Sequence, residues 1–398
     1  MAQVFLHVGL PKTGTTSIQA ALQAAAVELS EVGVLFPCGT HHEQRLAAFD
    51  LLGQRAPGGR ANAQAGAFRR MVAEIDAYGG ERVVVSEEEL GLARPGQVRR
   101  VVRALSGHEV FVVVGARDLG RTLVSAWQQG ILMGDTTRWP DFVEAVRDPA
   151  RGDIRTGASF RLRHDLVRVL DAWSTHVPVA RIRIFTAPPA GSHPEVLLSR
   201  FAAAAAVPAT FWDGSATPRN QSPGPAQVEV VRRLNAVISS RLDRRQHRWV
   251  LERGVRPGLI PGGSRPLLLP REDLGWTREL GQQVADEIRR RGHSVYGDLD
   301  DLLPTEVATS PRRPDELSEG ELLAAAEATL ESVAVALGSS PRRPKPRTRG
   351  EGPRSMEVLA SSARAAGFQL GKSALPRARD NRLLAWAVRS YLRRGSAF

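Results

Sequence analysis

A lysine, two glycines and several hydroxyl side chains follow the first apolar run of the chain. Residues 9–17 read Gly-Leu-Pro-Lys-Thr-Gly-Thr-Thr-Ser, after the apolar residues 4–8 and before the helical pattern of residues 18–22. This order predicts a strand, a tight turn and a helix N-terminus. Unpaired N–H groups and the helix dipole at such a terminus attract phosphate or sulfate. We therefore predict an anion-binding loop, in which Lys12 adds a mobile positive charge and the hydroxyls add donors.

Acidic side chains follow a second apolar run. Residues 82–86 are rich in valine and predict a buried parallel strand, which is followed by Glu87, Glu88 and Glu89. Ligands of open α/β sheets bind outside the carboxyl ends of the strands. These acids are therefore candidates for chemistry, although a solvated acidic turn at a helix start would show the same pattern.

A third strand is predicted at residues 109–116, the most apolar run of the chain. Arg117 follows it, Ser125 lies eight residues further on, and Trp127 comes two residues after Ser125. An arginine and a serine at this spacing carry no meaning by themselves, and Arg117 alone would favour a structural salt bridge.

Together these residues resemble the sulfotransferases that use 3′-phosphoadenosine 5′-phosphosulfate (PAPS). Residues 11–16, Pro-Lys-Thr-Gly-Thr-Thr, are similar to the 5′-phosphosulfate loop of that family. Arg117, Ser125 and Trp127 stand at the spacing of its 3′-phosphate motif, with Leu119 in place of the usual proline. Ser86-x-Glu88-x-Leu90 looks like the position where many bacterial and glycan sulfotransferases carry an acid.

The resemblance implies a fold, a reaction and a set of roles. The fold would be α/β, a mostly parallel central sheet flanked by helices, as in the P-loop NTPase-like sulfotransferases. PAPS would donate its sulfuryl group in line and leave as adenosine 3′,5′-bisphosphate (PAP), with no metal required. Lys12 would stabilise the leaving oxygen. The implied cofactor-binding residues are Pro11, Lys12, Thr13, Gly14, Thr15, Thr16, Ser17, Arg117 and Ser125.

The general base is less sharply defined by the sequence. Strand alternation puts Ser86 and Glu88 on one side, so Glu88 is our first candidate and Glu87 the second. His42 and His7 are further alternatives, and His7 is the weaker because it lies within the first strand. Adjacent His41 and His42 point apart on a helix and have no third ligand nearby, so we predict no metal site.

Residues 218–223 form a polar segment before a helix. In related bacterial sequences a similar N-x-S segment begins a helix close to the nucleotide. Arg219, Asn220 and Ser222 are therefore candidate cofactor contacts, and simple N-capping by Ser222 is the alternative.

The elements that would position these residues follow from periodicity. Strands are predicted at residues 33–37 and, towards a sheet edge, at 181–185. Helices are predicted at 95–105, 194–206 and 277–291. A helix from 159 to about 176 would place an apolar stripe in the core, formed by Leu162, Leu166, Val169, Leu170 and Trp173.

Composition limits the class of protein. The 398 residues are 42% hydrophobic, which suits a globular core, and no apolar run reaches the roughly 20 residues that span a bilayer. Lys12 and the threonines interrupt any signal-peptide core, so we predict a cytoplasmic protein. A single cysteine, Cys38, excludes an intramolecular disulfide framework.

The positive charge lies mainly at one end. The formal net charge is +12, and residues 341–398 hold fourteen Lys and Arg residues against three acids. We therefore predict three segments: an α/β domain at 1–304, a linker with an Ala/Leu/Glu-rich helix at 305–345, and a basic tail with an amphipathic helix at 346–398. The tail could contact a protein or a membrane surface. No nucleic-acid partner is predicted.

Two rival functions remain open at this stage. A P-loop kinase or nucleotidase using ATP would carry its lysine directly after the last glycine, whereas Lys12 precedes Gly14. A non-catalytic binding protein would act through the basic tail. For a sulfotransferase, the acceptor could be a hydroxyl of a glycan, a glycolipid or a small metabolite.

Overall fold

The computed structural model describes residues 1–56, 61–148, 150–208, 222–259 and 266–338. The strands are β1 (Gln3–His7), β2 (Val34–Leu35), β3 (Arg82–Ser86), β4 (Glu109–Ala116), β5 (Ile182–Thr186), β6 (Leu269–Pro270), β7 (Ser294–Tyr296) and β8 (Thr309–Ser310). The α-helices are α1 (Thr15–Ala24), α2 (Ala26–Glu31), α3 (His41–Leu52), α4 (Ala61–Gln64), α5 (Ala67–Ala77), α6 (Pro95–Ala104), α7 (Leu119–Leu132), α8 (Trp139–Arg147), α9 (Ile154–His164), α10 (Leu166–Ser174), α11 (Pro194–Ala204), α12 (Pro225–Ile238), α13 (Arg244–Trp249), α14 (Leu274–Arg291) and α15 (Glu319–Gly338).

A six-stranded sheet has the order β2-β3-β1-β4-β5-β7, and every neighbouring pair in it is parallel. β1 lies between β3 and β4, and its last residue, His7, is in register with Ser86 on one side and Val113 on the other. The segments that follow these three strands therefore leave the same edge of the sheet. The α/β class with a parallel sheet flanked by helices is confirmed.

The inner strands β1, β3, β4 and β5 are largely buried on both faces, as the apolar sequences of β1, β3 and β4 predict. Because successive side chains alternate, Phe5, Val84 and Phe111 pack on one face with α1, α2 and α11. Val4, Leu6 and Val83 pack on the opposite face with α3, α5, α6, α10 and α14. Helices on both faces leave the carboxyl edge of the strands as the place where loops meet.

The predicted helix over residues 159–176 is wrong, since the structure has two helices there. Asp165 adopts an extended conformation, ends α9 and caps α10 by accepting a hydrogen bond from the N–H of Arg168. Aspartate favours caps over helix interiors because its short side chain binds the backbone. Leu162 is consequently exposed, whereas Leu166, Val169, Leu170 and Trp173 are buried as predicted.

β5 lies towards one edge of the sheet, as its alternating charges predict, but it is not the edge strand itself. It lies between β4 and β7, and β7 forms the edge. The guanidinium of Arg183 lies 4.6 Å from the centre of the Phe111 ring and 5.2 Å from that of Phe5. These cation–π contacts accommodate the positive charge inside the sheet.

The chain folds as two compact units. The described residues of Met1–Ala126, Pro140–Asn220 and Leu268–Arg312 form the first, which contains the sheet, and those of Trp127–Trp139, Gln221–Leu267 and Arg313–Phe398 belong to the second. In the second unit, Val230 of α12 packs against Leu322, Ala325 and Ala326 of α15. The predicted division at 304 and 345 stays a prediction, and the tail lies outside the described residues.

None of the described helices combines the length and apolar character that crossing a bilayer requires.

Candidate functional site

The predicted anion-binding loop connects β1 to α1. It continues the sheet for a short distance, because Val8 donates to the carbonyl of Val113 and Leu10 donates to that of Gly115. Gly9, Lys12 and Gly14 have φ values of 108°, 72° and 88°, in the left-handed region. Lysine adopts this conformation rarely, and such residues concentrate at functional sites. Successive turns of this kind direct backbone N–H groups into a concave anion site.

The N-terminus of α1 follows directly on a glycine in the left-handed conformation. Gly14 is its N-cap, and within the described chain no side chain caps this end. Ser17 and Ile18 donate to the carbonyl of Gly14. The N–H groups of Thr15 and Thr16 precede the first helical hydrogen bonds and can bind an anion.

The hydroxyls of the loop are not equivalent. Thr13 is buried and donates to the carbonyl of Leu10 at 2.7 Å, and Thr15 donates to Oε2 of Glu88 at 2.6 Å. Thr16 is exposed and Ser17 is half-buried. Thr13 and Thr15 therefore fix the loop and the acid next to it, which leaves the hydroxyls of Thr16 and Ser17 as the accessible donors.

Arg117, from the motif that resembles the 3′-phosphate motif, contacts the predicted anion-binding loop. Its Nη1 donates to the carbonyl of Lys12 at 2.7 Å, although 105 residues separate the two positions. Burial, with the charge of Arg121, lowers the pKa of Arg117 to about 10, so the guanidinium stays charged at neutral pH. Within the described chain its Nε has no hydrogen-bond partner. A half-buried cation with an unused donor favours binding of an anion.

The two candidate acids face different partners. Glu88 begins a 3-10 helix, Glu88–Leu92, is half-buried, and accepts the hydrogen bond from Thr15 at the start of α1. Glu87 is buried, and its carboxylate caps the same 3-10 helix by accepting from the N–H of Glu89. Its Oε2 lies 2.8 Å from Nε2 of His41. Glu88 is thus the acid that contacts the loop.

The histidines take places that the sequence did not specify. His42 is exposed at the start of α3, whereas its neighbour His41 contacts Glu87. His7 is fully buried between the rings of Phe185 and Phe201, and Nδ1 of His7 lies 2.8 Å from Oγ of Ser86. Burial lowers the pKa of His7 to about 3, so the ring is neutral at physiological pH.

The remaining predicted residues lie in several places. Ser125 is half-buried in α7, two turns beyond Arg117. Trp127 belongs to the second unit, where its Nε1 donates to the carbonyl of Thr137. Ser222 is exposed in that unit, and it does not cap α12, since the N-cap is Gly224. Arg219 and Asn220 lie outside the described residues.

A cavity of about 390 Å³ lies beside the loop in the first unit. Leu10, Pro11 and Thr13 form the wall that it shares with the loop. Its charged and polar lining residues, some of which sequence analysis did not select, are Arg117, Thr122, Arg147, Arg161, His164 and Asp165. These residues come from the segment after β4, from α7, α8 and α9, and from the α9–α10 junction, so no local pattern groups them.

Glycine at position 115 allows the loop to lie against β4. A Cβ atom there would lie 2.5 Å from Oγ1 of Thr13 and 2.7 Å from Cζ of Phe185. We expect Gly115→Ala to lower the free energy of unfolding by about 1–3 kcal/mol, because it overpacks the core and displaces Thr13. Urea unfolding measures this loss.

The control for this substitution is Gly96→Ala in α6, where no atom lies within 4 Å of the added methyl group. It should leave the free energy of unfolding unchanged or slightly higher, since alanine is the better helix former. Equal stabilities for the two variants would show that the loop does not depend on contact with β4.

Comparison of this chain with protein-family models, with the curated proteins and with solved structures gave no match. The chemical interpretation therefore rests on the geometry of the site. Arg117 contacts the loop at the carbonyl of Lys12, the first N–H groups of α1 have no side-chain cap within the described chain, and the carboxylate of Glu88 contacts Thr15 in the first turn of α1. Such a site can hold an anionic group and accept a proton beside it.

Proposed function

We propose that this protein is a PAPS-dependent sulfotransferase built on a P-loop-like sulfotransferase fold. The observation that carries the proposal is the hydrogen bond from Arg117 to the carbonyl of Lys12. It brings the residue that resembles the 3′-phosphate ligand of the family next to the loop that resembles the 5′-phosphosulfate ligand. One doubly phosphorylated adenosine could then contact both.

In the proposed reaction, the residues of this chain would have the following roles. The amides and accessible hydroxyls of residues 13–17 bind the 5′-phosphosulfate, and Arg117 with Ser125 binds the 3′-phosphate. The acceptor oxygen forms a bond to sulfur while the bond from sulfur to the 5′-phosphate oxygen breaks. Lys12 stabilises the negative charge on that leaving oxygen, which departs in PAP. Glu88 takes the acceptor proton.

Glu88 is favoured as the base because its carboxylate already accepts a hydrogen bond at the helix N-terminus that would hold the sulfuryl group. Glu87 is second, since its carboxylate is engaged by Glu89 and His41. His42 has the weakest support, because its side chain is exposed and it is His41, rather than His42, that lies against Glu87.

Titration with two nucleotides tests the proposal against the ATP-dependent alternative. We expect PAP to bind at least about tenfold more tightly than ADP with Mg²⁺, because a 3′-hydroxyl leaves Arg117 without a charged partner. Calorimetry measures both dissociation constants. Tighter binding of ADP with Mg²⁺ would favour a kinase or nucleotidase and overturn the proposal.

Deletion of residues 346–398 addresses the second alternative, a binding protein that acts through its basic tail. A sulfotransferase should keep PAP binding after this deletion, whereas a tail-dependent binding protein would lose its binding function. A cytoplasmic location and a contact of the tail with a membrane or a protein remain predictions.

A further inference from the structure

We propose that the cavity beside the loop binds the acceptor, and that this acceptor is a small amphipathic molecule with an apolar body, an anionic group and a hydroxyl. That the ligand is the acceptor rests on the proposed function, but the binding chemistry of the cavity follows from its own residues.

The position of the cavity suits an acceptor. Leu10, Pro11 and Thr13 line it, so an occupant would touch the loop that we propose for the phosphosulfate. The residues at the start of α1, from Gly14 to Ser17, do not line it. The cavity is thus adjacent to the proposed donor site. It is separate from the N-terminus of α1, which forms the centre of that donor site.

The walls of the cavity are mostly apolar. Side chains that form them come from α8, α9, α10 and α14, and include Val146, Phe160, Leu166 and Val284. A volume of about 390 Å³ lies in the range of pockets for small molecules. A glycan chain is longer and carries hydroxyls on every side, which these walls could not satisfy. The apolar lining therefore favours a small molecule over a glycan.

The charges in the cavity are mainly positive. Arg147 and Arg161 line it, together with Arg117, which the proposed function assigns to the 3′-phosphate. In the part of the chain that the structure describes, neither Arg147 nor Arg161 forms an ion pair with an acid. The one acid in the lining, Asp165, caps α10 through the N–H of Arg168. Guanidinium groups beside apolar walls, with no acid as partner, favour an anionic ligand such as a carboxylate.

His164 lines the cavity with an uncharged ring. Burial, followed by the charges of Arg163 and Lys12, lowers its pKa to about 3. It also packs on Phe160, with 4.8 Å between ring centres. The arginines, rather than this histidine, therefore supply the positive charge that would recognise an anion at neutral pH.

A pair of fluorescent probes tests this recognition without any donor. Anilinonaphthalene sulfonate (ANS) has an apolar body and a sulfonate, and phenylnaphthylamine (NPN) has the same rings without the charge. We expect Arg161→Gln to weaken ANS binding by about tenfold or more, because a charge-assisted contact is lost. NPN affinity and PAP affinity should stay unchanged.

Two further variants keep the test specific. Arg155→Gln removes the same charge from an exposed position of α9 that does not line the cavity, and should leave ANS binding unchanged. Leu280→Trp adds bulk at a partly exposed lining residue and should weaken both probes. Equal ANS affinity in the wild-type protein and Arg161→Gln, or ANS binding that survives Leu280→Trp, would overturn the inference.

Catalysis extends the test to the acceptor. With PAPS as donor, a hydroxynaphthoate should show a KM about tenfold below that of its methyl ester, and Arg161→Gln should remove this difference while kcat changes little. Turnover of the ester at an equal or lower KM would overturn the inference that the acceptor carries an anionic group. Absence of PAP binding would instead overturn the proposed function, and the ANS result would still decide whether the cavity recognises anions.

Discussion

Lys12→Ala is expected to lower sulfuryl transfer from PAPS by about a hundred- to a thousandfold without unfolding the protein. In the proposed mechanism Lys12 supplies the charge at the leaving oxygen, and removal of one such stabilising group typically costs this much in kcat. The residue is half-buried in a left-handed conformation, with its carbonyl held by Arg117, so its side chain is not part of either core cluster. Transfer of label from radioactive PAPS measures the rate, and urea unfolding measures stability.

Lys12→Met is the matched variant for this prediction. It keeps the unbranched apolar stem and the same backbone constraint, while removing only the charge. It should therefore be as inactive as Lys12→Ala. Near-normal PAPS-dependent transfer by either variant would remove Lys12 from the mechanism.

Glu88→Gln is expected to lower kcat by about a hundredfold or more, with the dissociation constant of PAP unchanged within about threefold. Glutamine has nearly the same shape and retains an oxygen that can accept the hydrogen bond from Thr15. It cannot take up the acceptor proton. Single-turnover transfer under saturating PAPS separates this chemical effect from donor binding.

Glu87→Gln is the control for the assignment of the base. Its carboxylate accepts a hydrogen bond from the N–H of Glu89 and lies beside His41. This substitution should therefore lower the free energy of unfolding more than it lowers kcat. If Glu87→Gln loses turnover and Glu88→Gln does not, the base is Glu87. If neither variant is impaired, neither acid is the base.

The sequence predicted the parts of the site that depend on local rules. A strand, a glycine-containing turn and a helix start can be read from consecutive residues, and the structure has β1, the loop and α1 at these positions. The same holds for the acids after β3 and for Arg117 after β4. Parallel strands bring their carboxyl ends to one edge, so their proximity follows from the fold class.

Other features depend on contacts between distant residues. The bond from Arg117 to Lys12 and the pairing of His41 with Glu87 have no signal in the spacing of these residues. The cavity draws its lining from several helices, so Arg161 and His164 could not be grouped with the loop in advance. The boundary between α9 and α10 at Asp165 could not be predicted, because the helical spacing of apolar residues continues through it.

The central claim is that one PAP molecule bridges the loop and Arg117, and a crystal structure of the protein with PAP tests it most directly. We predict the 5′-phosphate at the backbone N–H groups of residues 13–17, with the 3′-phosphate of the same molecule in contact with Arg117 and Ser125. PAP bound elsewhere, or bound at the loop with its 3′-phosphate turned away from Arg117, would contradict the account.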